Sequence, residues 1–243
     1  MSRLEDQHVV VVGGASGIGL AVARKCAAEG ARLTLIGRTE SRLREAAGSI
    51  PGAGFQLADA TCDGALDAAY SAAGSFDHLV TTVSASSTRL GVTVGIADMR
   101  LEAAREFFEG KFWGQYRSAR EALRHIRSTG SITFTSGVAV RRSLPGHTIV
   151  AANNAAIEAS ARQLAKELAP LRVNTISPGL TSTRTYDHYS QAERDAFFRR
   201  VTGNMPLGRA ADASEIAEAY LFAITADYLT GAVIDIDGGF LVQ

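Results

Sequence analysis

The stretch His8-Val9-Val10-Val11-Val12-Gly13-Gly14-Ala15-Ser16-Gly17-Ile18-Gly19-Leu20, residues 8–20, decides the fold. Val9 to Val12 form an unbroken apolar run of strand length, as a strand buried on both faces would. Gly13, Gly17 and Gly19 follow at once, and Leu20 to Ala23 open a helical pattern. Strand, tight turn and helix together aim backbone N–H groups and the positive end of a helix at a phosphate. One glycine turns the chain, one lets a ligand approach the backbone, and one seats the helix close to the strand. Ser16 and Ile18 fall inside the same cradle. The competing reading is an ordinary βα turn, and the strand before and the helix after weigh against it.

Outward from this stretch, apolar runs alternate with helical patterns. Strands are expected at Arg32–Gly37, Phe55–Ala58, Asp77–Thr82, Ser131–Thr135, Arg172–Ser177 and Ala232–Ile236. Helices are expected at Glu40–Ala47, Asp63–Ala73, Leu101–Arg127, His147–Leu168, Gln191–Val201 and Ser214–Ile224. Such alternation demands parallel pairing with right-handed crossovers. The expected fold is therefore α/β: a Rossmann-type doubly wound fold with a seven-stranded parallel sheet and helices on both faces. Its ligand belongs at the carboxyl ends of the strands. One domain over residues 1–243 is expected, with about 178–208 as a substrate loop or lid.

The composition, 46% hydrophobic and 21% charged, fits a globular chain, and the formal net charge is zero. Nothing in it points to nucleic acid or a membrane as partner. Cys26 and Cys62 show no metal spacing and read as reduced thiols. The polar start, Ser2 to Gln7, does not read as a secretion signal, and a cytoplasmic location is expected. The expected partner is a small-molecule substrate.

The end of the second expected strand selects between dinucleotides. A carboxylate there would bind a ribose hydroxyl and repel a 2′-phosphate. Gly37, Arg38 and Thr39 stand there instead. Gly37 leaves room, and Arg38 offers a donor fork suited to phosphate, which points to NADP(H). Asp59, followed by Ala60, is either an adenine contact or a helix N-cap.

The spacing Gly13-x-x-x-Gly17-Ile18-Gly19 resembles the cofactor loop of the short-chain dehydrogenase/reductase superfamily, although Val12 stands where that family usually has Thr. Arg172-Val173-Asn174 with Pro178-Gly179, Pro206-Leu207-Gly208-Arg209, and Thr230-Gly231 with Asp237-Gly238-Gly239 extend the resemblance to the C-terminus. It implies that Pro178, Gly179, Thr181 and Thr183 belong to the nicotinamide side, Thr183 having the better spacing. It also implies a homodimer or homotetramer, built on the long helix and the alanine-rich helix.

The family's catalytic pattern is broken. Its Asn-Asn-Ala-Gly reads Thr81-Thr82-Val83-Ser84 here. Where it has Asn on the long helix, catalytic Ser, Tyr and Lys, this chain has Lys111, Gly137, Val150 and Asn154. Val150 exchanges no proton, so the usual mechanism is closed. A relocated acid is one reading: Lys111 at the vacated pocket, with Ser136 or Ser84 orienting a carbonyl, and Tyr116 as a second donor if the helix is irregular. Gln115 shares the lysine's helical face. Lys111 to Tyr116 resembles a Lys-x-x-Gly-Gln-Tyr run in a divergent, largely bacterial branch of the family that lacks the tyrosine and lysine. The other reading is an inactive NADP-binding sensor or scaffold, with Lys111 a surface residue. The first implies a reductase moving hydride between NADPH and a carbonyl, imine or enone. His147 and His188 are weaker candidates near the pocket.

Overall fold

The computed structural model describes residues 2–183, 186–187 and 189–242. Strand β1 (His8–Val12) lies at the centre of a seven-stranded sheet, and all five of its residues are buried. Val9 and Val11 pack toward one helical layer, Val10 and Val12 toward the other. A strand covered on both faces has no polar side to alternate with, which is why the run is continuous.

The chain leaves β1 through α1 (Gly17–Ala28), then β2 (Arg32–Gly37), α2 (Glu40–Gly48), β3 (Gly54–Leu57) and α3 (Ala65–Ala73). It returns to the other flank of β1 with β4 (Phe76–Thr81) and the short α4 (Ser87–Leu90). A long helical run follows: α5 (Leu101–Phe108), a π-helical turn over Glu109–Trp113, and α6 (Gly114–Ala122). Then come β5 (Ile126–Thr135), α7 (Thr148–Glu167), β6 (Arg172–Pro178), β7 (Thr181–Ser182), α8 (Gln191–Thr202), β8 (Ala211–Asp212), α9 (Ala213–Thr225) and β9 (Val233–Ile236). The sheet order is β3-β2-β1-β4-β5-β6-β9, all parallel, as the doubly wound reading expects. The order reverses beside β1, so a crevice opens between the carboxyl ends of β1 and β4. Among the described residues no helix is long and apolar enough to cross a membrane.

Several boundaries differ from the sequence expectation. The long helix ends at Ala122 rather than Arg127 because the chain already enters β5 at Ile126. The β4–β5 register then slips between Phe76 and His78. Gly130 fits there only without a side chain, since a Cβ would lie 1.7 Å from the Asp77 carbonyl oxygen. Helix α3 starts at Ala65 behind Gly64, not at Asp63. Helix α9 starts at Ala213, its capping box formed by Asp212 and Glu215. The β7–β8 pair, two residues on each strand, was below the reach of periodicity.

Arg172 shows how a side chain can close the far side of the sheet. It is buried and donates to the carbonyls of Ala223 (2.8 Å), Ile224 (2.6 Å) and Leu229 (3.4 Å), satisfying the end of α9. Asn174 next to it ties the Leu229 carbonyl and the Ala232 N–H to β6. Replacing Arg172 by Leu strands these carbonyls, and the unfolding free energy is expected to fall by about 3 kcal/mol in urea denaturation.

Candidate active site

The carboxyl ends of β1, β2, β4, β5 and β6 open on one continuous cleft of about 600 Å³. Its floor is the glycine turn. Gly13 and Gly17 have φ of +88° and +54°, a region L side chains avoid. At Gly19 a Cβ would sit 2.3 Å from the Gly13 carbonyl oxygen, so helix α1 can cross this close only as glycine. Thr82 closes the turn from β4, its hydroxyl 3.3 Å from the carbonyl oxygens of Val12 and Gly13. Ser16 is the N-cap of α1 but its hydroxyl makes no capping bond. The first N–H groups of a twelve-residue helix thus receive no cap from Ser16, and Ser16, Gly17, Ile18 and Gly19 line the cleft.

At one end stand Gly37, Arg38, Thr39 and Arg42 from the β2–α2 corner, opposite Asp59 and Ala60 after β3. Arg38 and Arg42 are both exposed on this wall. Asp59 is no helix cap: its carboxylate accepts from the Thr61 N–H (3.0 Å) and hydroxyl (2.8 Å) in a tight local turn. On the β6 side, Pro178 and Thr183 line the cleft, and Thr183 lies against Gly17. Thr181 and Gly179 turn elsewhere. The Thr181 hydroxyl donates to the Gly179 carbonyl at 3.0 Å, and Gly179 presses on Asp237, where a Cβ would lie 2.6 Å from the Asp237 Cα.

At the other end the cleft reaches Lys111, which lies in the π-helical turn. Glycines bracket it. A Cβ on Gly110 would meet Ala85 Cβ at 2.8 Å, and one on Gly114 would meet Val83 Cγ1 at 3.1 Å. The helix can thus press onto the loop after β4 and carry the lysine inward. Lys111 is only 8% exposed. Its Nζ donates to Asn154 Oδ1 at 2.6 Å and to the Ser136 carbonyl at 3.1 Å. The positions where the resemblance expects an asparagine and a lysine thus hold a lysine and an asparagine in mutual contact. Burial pushes the Lys111 amine down to about 8, against the opposing pull of Glu158.

Ser136 and Tyr116 are placed differently from the expectation. The Ser136 hydroxyl donates to buried Glu158 at 2.8 Å, so its backbone carbonyl, rather than the hydroxyl, meets the lysine. Glu158 also takes two bonds from Arg141, at 2.7 and 3.0 Å, and Arg141 bonds Asp235 and Ser177. The helix is irregular as Tyr116 required, yet Tyr116 packs on the outer side with Phe112 and Trp113, ring centroids 6.0 and 5.9 Å away. Lys111 and Gln115 face inward instead. The buried Gln115 carboxamide donates to the carbonyls of Val83 and Thr135 and accepts from the Thr135 N–H, bridging the ends of β4 and β5. His147 is the N-cap of α7 and contacts the Pro145 carbonyl, while His188 lies outside the described residues.

Glu158 and Arg141 escaped the sequence reading as members of the site, and Asn154 entered it only as the replacement at the family's lysine position. One signal was available: Glu158 stands four residues after Asn154 on an alanine-rich helix, so both share a face. That this face is buried beneath the cleft is a matter of packing.

Comparison with known proteins agrees with this architecture. A family profile described as Enoyl-(Acyl carrier protein) reductase matches residues 13–241. The short-chain reductase protein NovJ of Streptomyces niveus is 31% identical, with 97% of this chain and 94% of that protein covered. A short-chain dehydrogenase/reductase of Stachybotrys chlorohalonatus is 29% identical over the full length of both. Among solved structures, a small-chain dehydrogenase in complex with NADPH superposes with a TM-score of 0.84 at 37% identity, covering 98% of this chain and 100% of that one. The chain belongs to the short-chain dehydrogenase/reductase superfamily of oxidoreductases.

Proposed function

We propose that this protein is an NADP-dependent reductase acting on a carbonyl, or on an imine or enone, of a small organic substrate, with Lys111 as its proton donor. The observation that carries the reading is a buried ammonium at the inner end of a cleft whose other parts fit a dinucleotide phosphate. The N–H groups at Ser16 to Gly19, which line the cleft at the start of α1, would hold a pyrophosphate. Arg38 and Arg42 would hold a 2′-phosphate. Asp59 and Ala60, which line the cleft beside Arg38, would contact the adenine, and Pro178 and Thr183 would flank the nicotinamide. The chemistry that NADPH supplies when bound is hydride donation to an electrophilic carbon.

The remaining work belongs to the chain. As electron density collects on the substrate oxygen, the Lys111 ammonium stabilises that charge and transfers a proton to it. An amine titrating near 8 is mostly charged at neutral pH, yet releases its proton more readily than a solvated lysine. Val150, at the position of the family's tyrosine, packs beside a small apolar cluster of Val92, Ala103 and Phe107. The absence of a polar side chain at Val150 and Gly137 favours a partly apolar substrate.

Calorimetric titration is expected to show NADPH binding at least about tenfold more tightly than NADH, with Arg38→Ala removing the difference. Equal affinities in the unmodified protein would refute the assignment. In a screen of ketones, enones and imines followed by NADPH absorbance, Lys111→Met is expected to lower turnover by about 10²–10⁴-fold at unchanged NADPH affinity. NADPH binding with no consumption on any substrate class would favour the scaffold reading instead.

A further inference from the structure

The lysine is held in an environment made of acceptors. An ammonium has three N–H bonds. Two are fixed, one on Asn154 Oδ1 and one on the Ser136 carbonyl. The Asn154 amide is oriented by its own far side, where Nδ2 donates to the Gly137 carbonyl at 3.4 Å. Flipping it would turn two donors on each other. Gly137 is part of the device, because a Cβ there would lie 3.1 Å from Asn154 Nδ2 and crowd the amide. Asn154 is 2% exposed and Glu158 is also 2% exposed, one helical turn further on the same face of α7.

We propose that Asn154 and the Ser136 carbonyl are positioning groups that confine proton exchange at Lys111 to a single, cleft-facing position. Glu158 completes the set as the carboxylate that keeps the amine charged between turnovers. The proposal rests on Lys111 being the proton donor named above. Its logic is that both fixed partners accept in either protonation state. A charged amine presents its third N–H to the cleft. A neutral amine keeps its two N–H bonds on the same acceptors and presents its lone pair there. The nitrogen need not rotate between giving up a proton and regaining one, and no proton leaks into the protein, because a carbonyl and an amide oxygen do not take one up at neutral pH.

The charged surroundings of the nitrogen are few. Glu158 approaches from α7, itself paired with Arg141 from the segment after β5, and Arg141 is shared with Asp235 of β9. Glu106 and Glu109 from the lysine's own helix and Arg89 from α4 line the outer part of the cleft. Glu109 is paired with Arg117, and Glu158 is the carboxylate whose charge opposes the effect of burial on the amine.

The test is competitive labelling with trace acetic anhydride across a pH series, on the protein without substrate, with acetylation read peptide by peptide by mass spectrometry. Lys25 and Lys166 serve as internal references. Lys111 is expected to titrate well below both. Asn154→Asp keeps the shape but sets a negative oxygen on the amine, and is expected to raise the Lys111 titration by about one pH unit or more. Glu158→Gln is expected to lower it by a similar amount. Opposite shifts support the proposal, and a Lys111 titration unmoved by Asn154→Asp overturns it. If Glu158→Gln does not fold, Asn154→Asp decides alone. Failure of the functional reading is separately visible, as the expected labelling shifts together with turnover that survives Lys111→Met.

Discussion

Backbone passes backbone at Gly19 more closely than any side chain permits, and the site is laid out around that crossing. The 2.3 Å between a notional Cβ and the Gly13 carbonyl oxygen fixes helix α1 against the end of β1. The N-terminus of the helix then faces the crevice at the reversal of sheet order. Thr82 from β4 locks the same turn from the other side. Cradle and sheet are one construction: loosening β1 in its two-sided core would move the floor of the cleft.

The chemistry at the inner end departs from the family pattern in an ordered way. Where the family has a lysine on α7, this chain carries one on the neighbouring helix, at the inner end of the cleft. The asparagine that takes the vacated place accepts a hydrogen bond from it. A charged amine in a low-dielectric site is unfavourable unless its donors are met, and Asn154 and the Ser136 carbonyl meet two of them. Glu158 supplies the compensating charge at one remove. Its carboxylate oxygens are taken up by Arg141 and the Ser136 hydroxyl rather than by the lysine itself. The result is an amine that burial pushes down to about 8.

The same network ties the site to the sheet. Ser136 follows β5, Asn154 and Glu158 belong to α7, Lys111 to the helix after β4, and Asp235 to β9. Gln115 adds a carboxamide bridge between the ends of β4 and β5. Groups from several elements, and from the segment after β5, thus meet beneath the cleft.

Much of this was legible in the residues alone. The apolar run ending in Gly13, Gly17 and Gly19 determined a buried parallel strand and a phosphate-facing turn, because period and composition leave few alternatives. The alternation of runs determined the doubly wound sheet, and the absent carboxylate at Arg38 pointed to the phosphorylated dinucleotide. Lys111 could be named as a replacement, but its surroundings could not. A helical wheel describes a regular helix, and the π turn at Glu109–Trp113 is not one. It arises where Gly110 and Gly114 press on Ala85 and Val83, residues 25 and 31 positions away in the chain. Sequence also left Ser136 and Tyr116 as side-chain donors. Packing gave the first hydroxyl to Glu158 and turned the second outward onto Phe112 and Trp113. Local pattern reports which residues can form an element and which face they share. Which partner a polar group finds across the cleft depends on distances set by the whole core, and only the tertiary structure decides them.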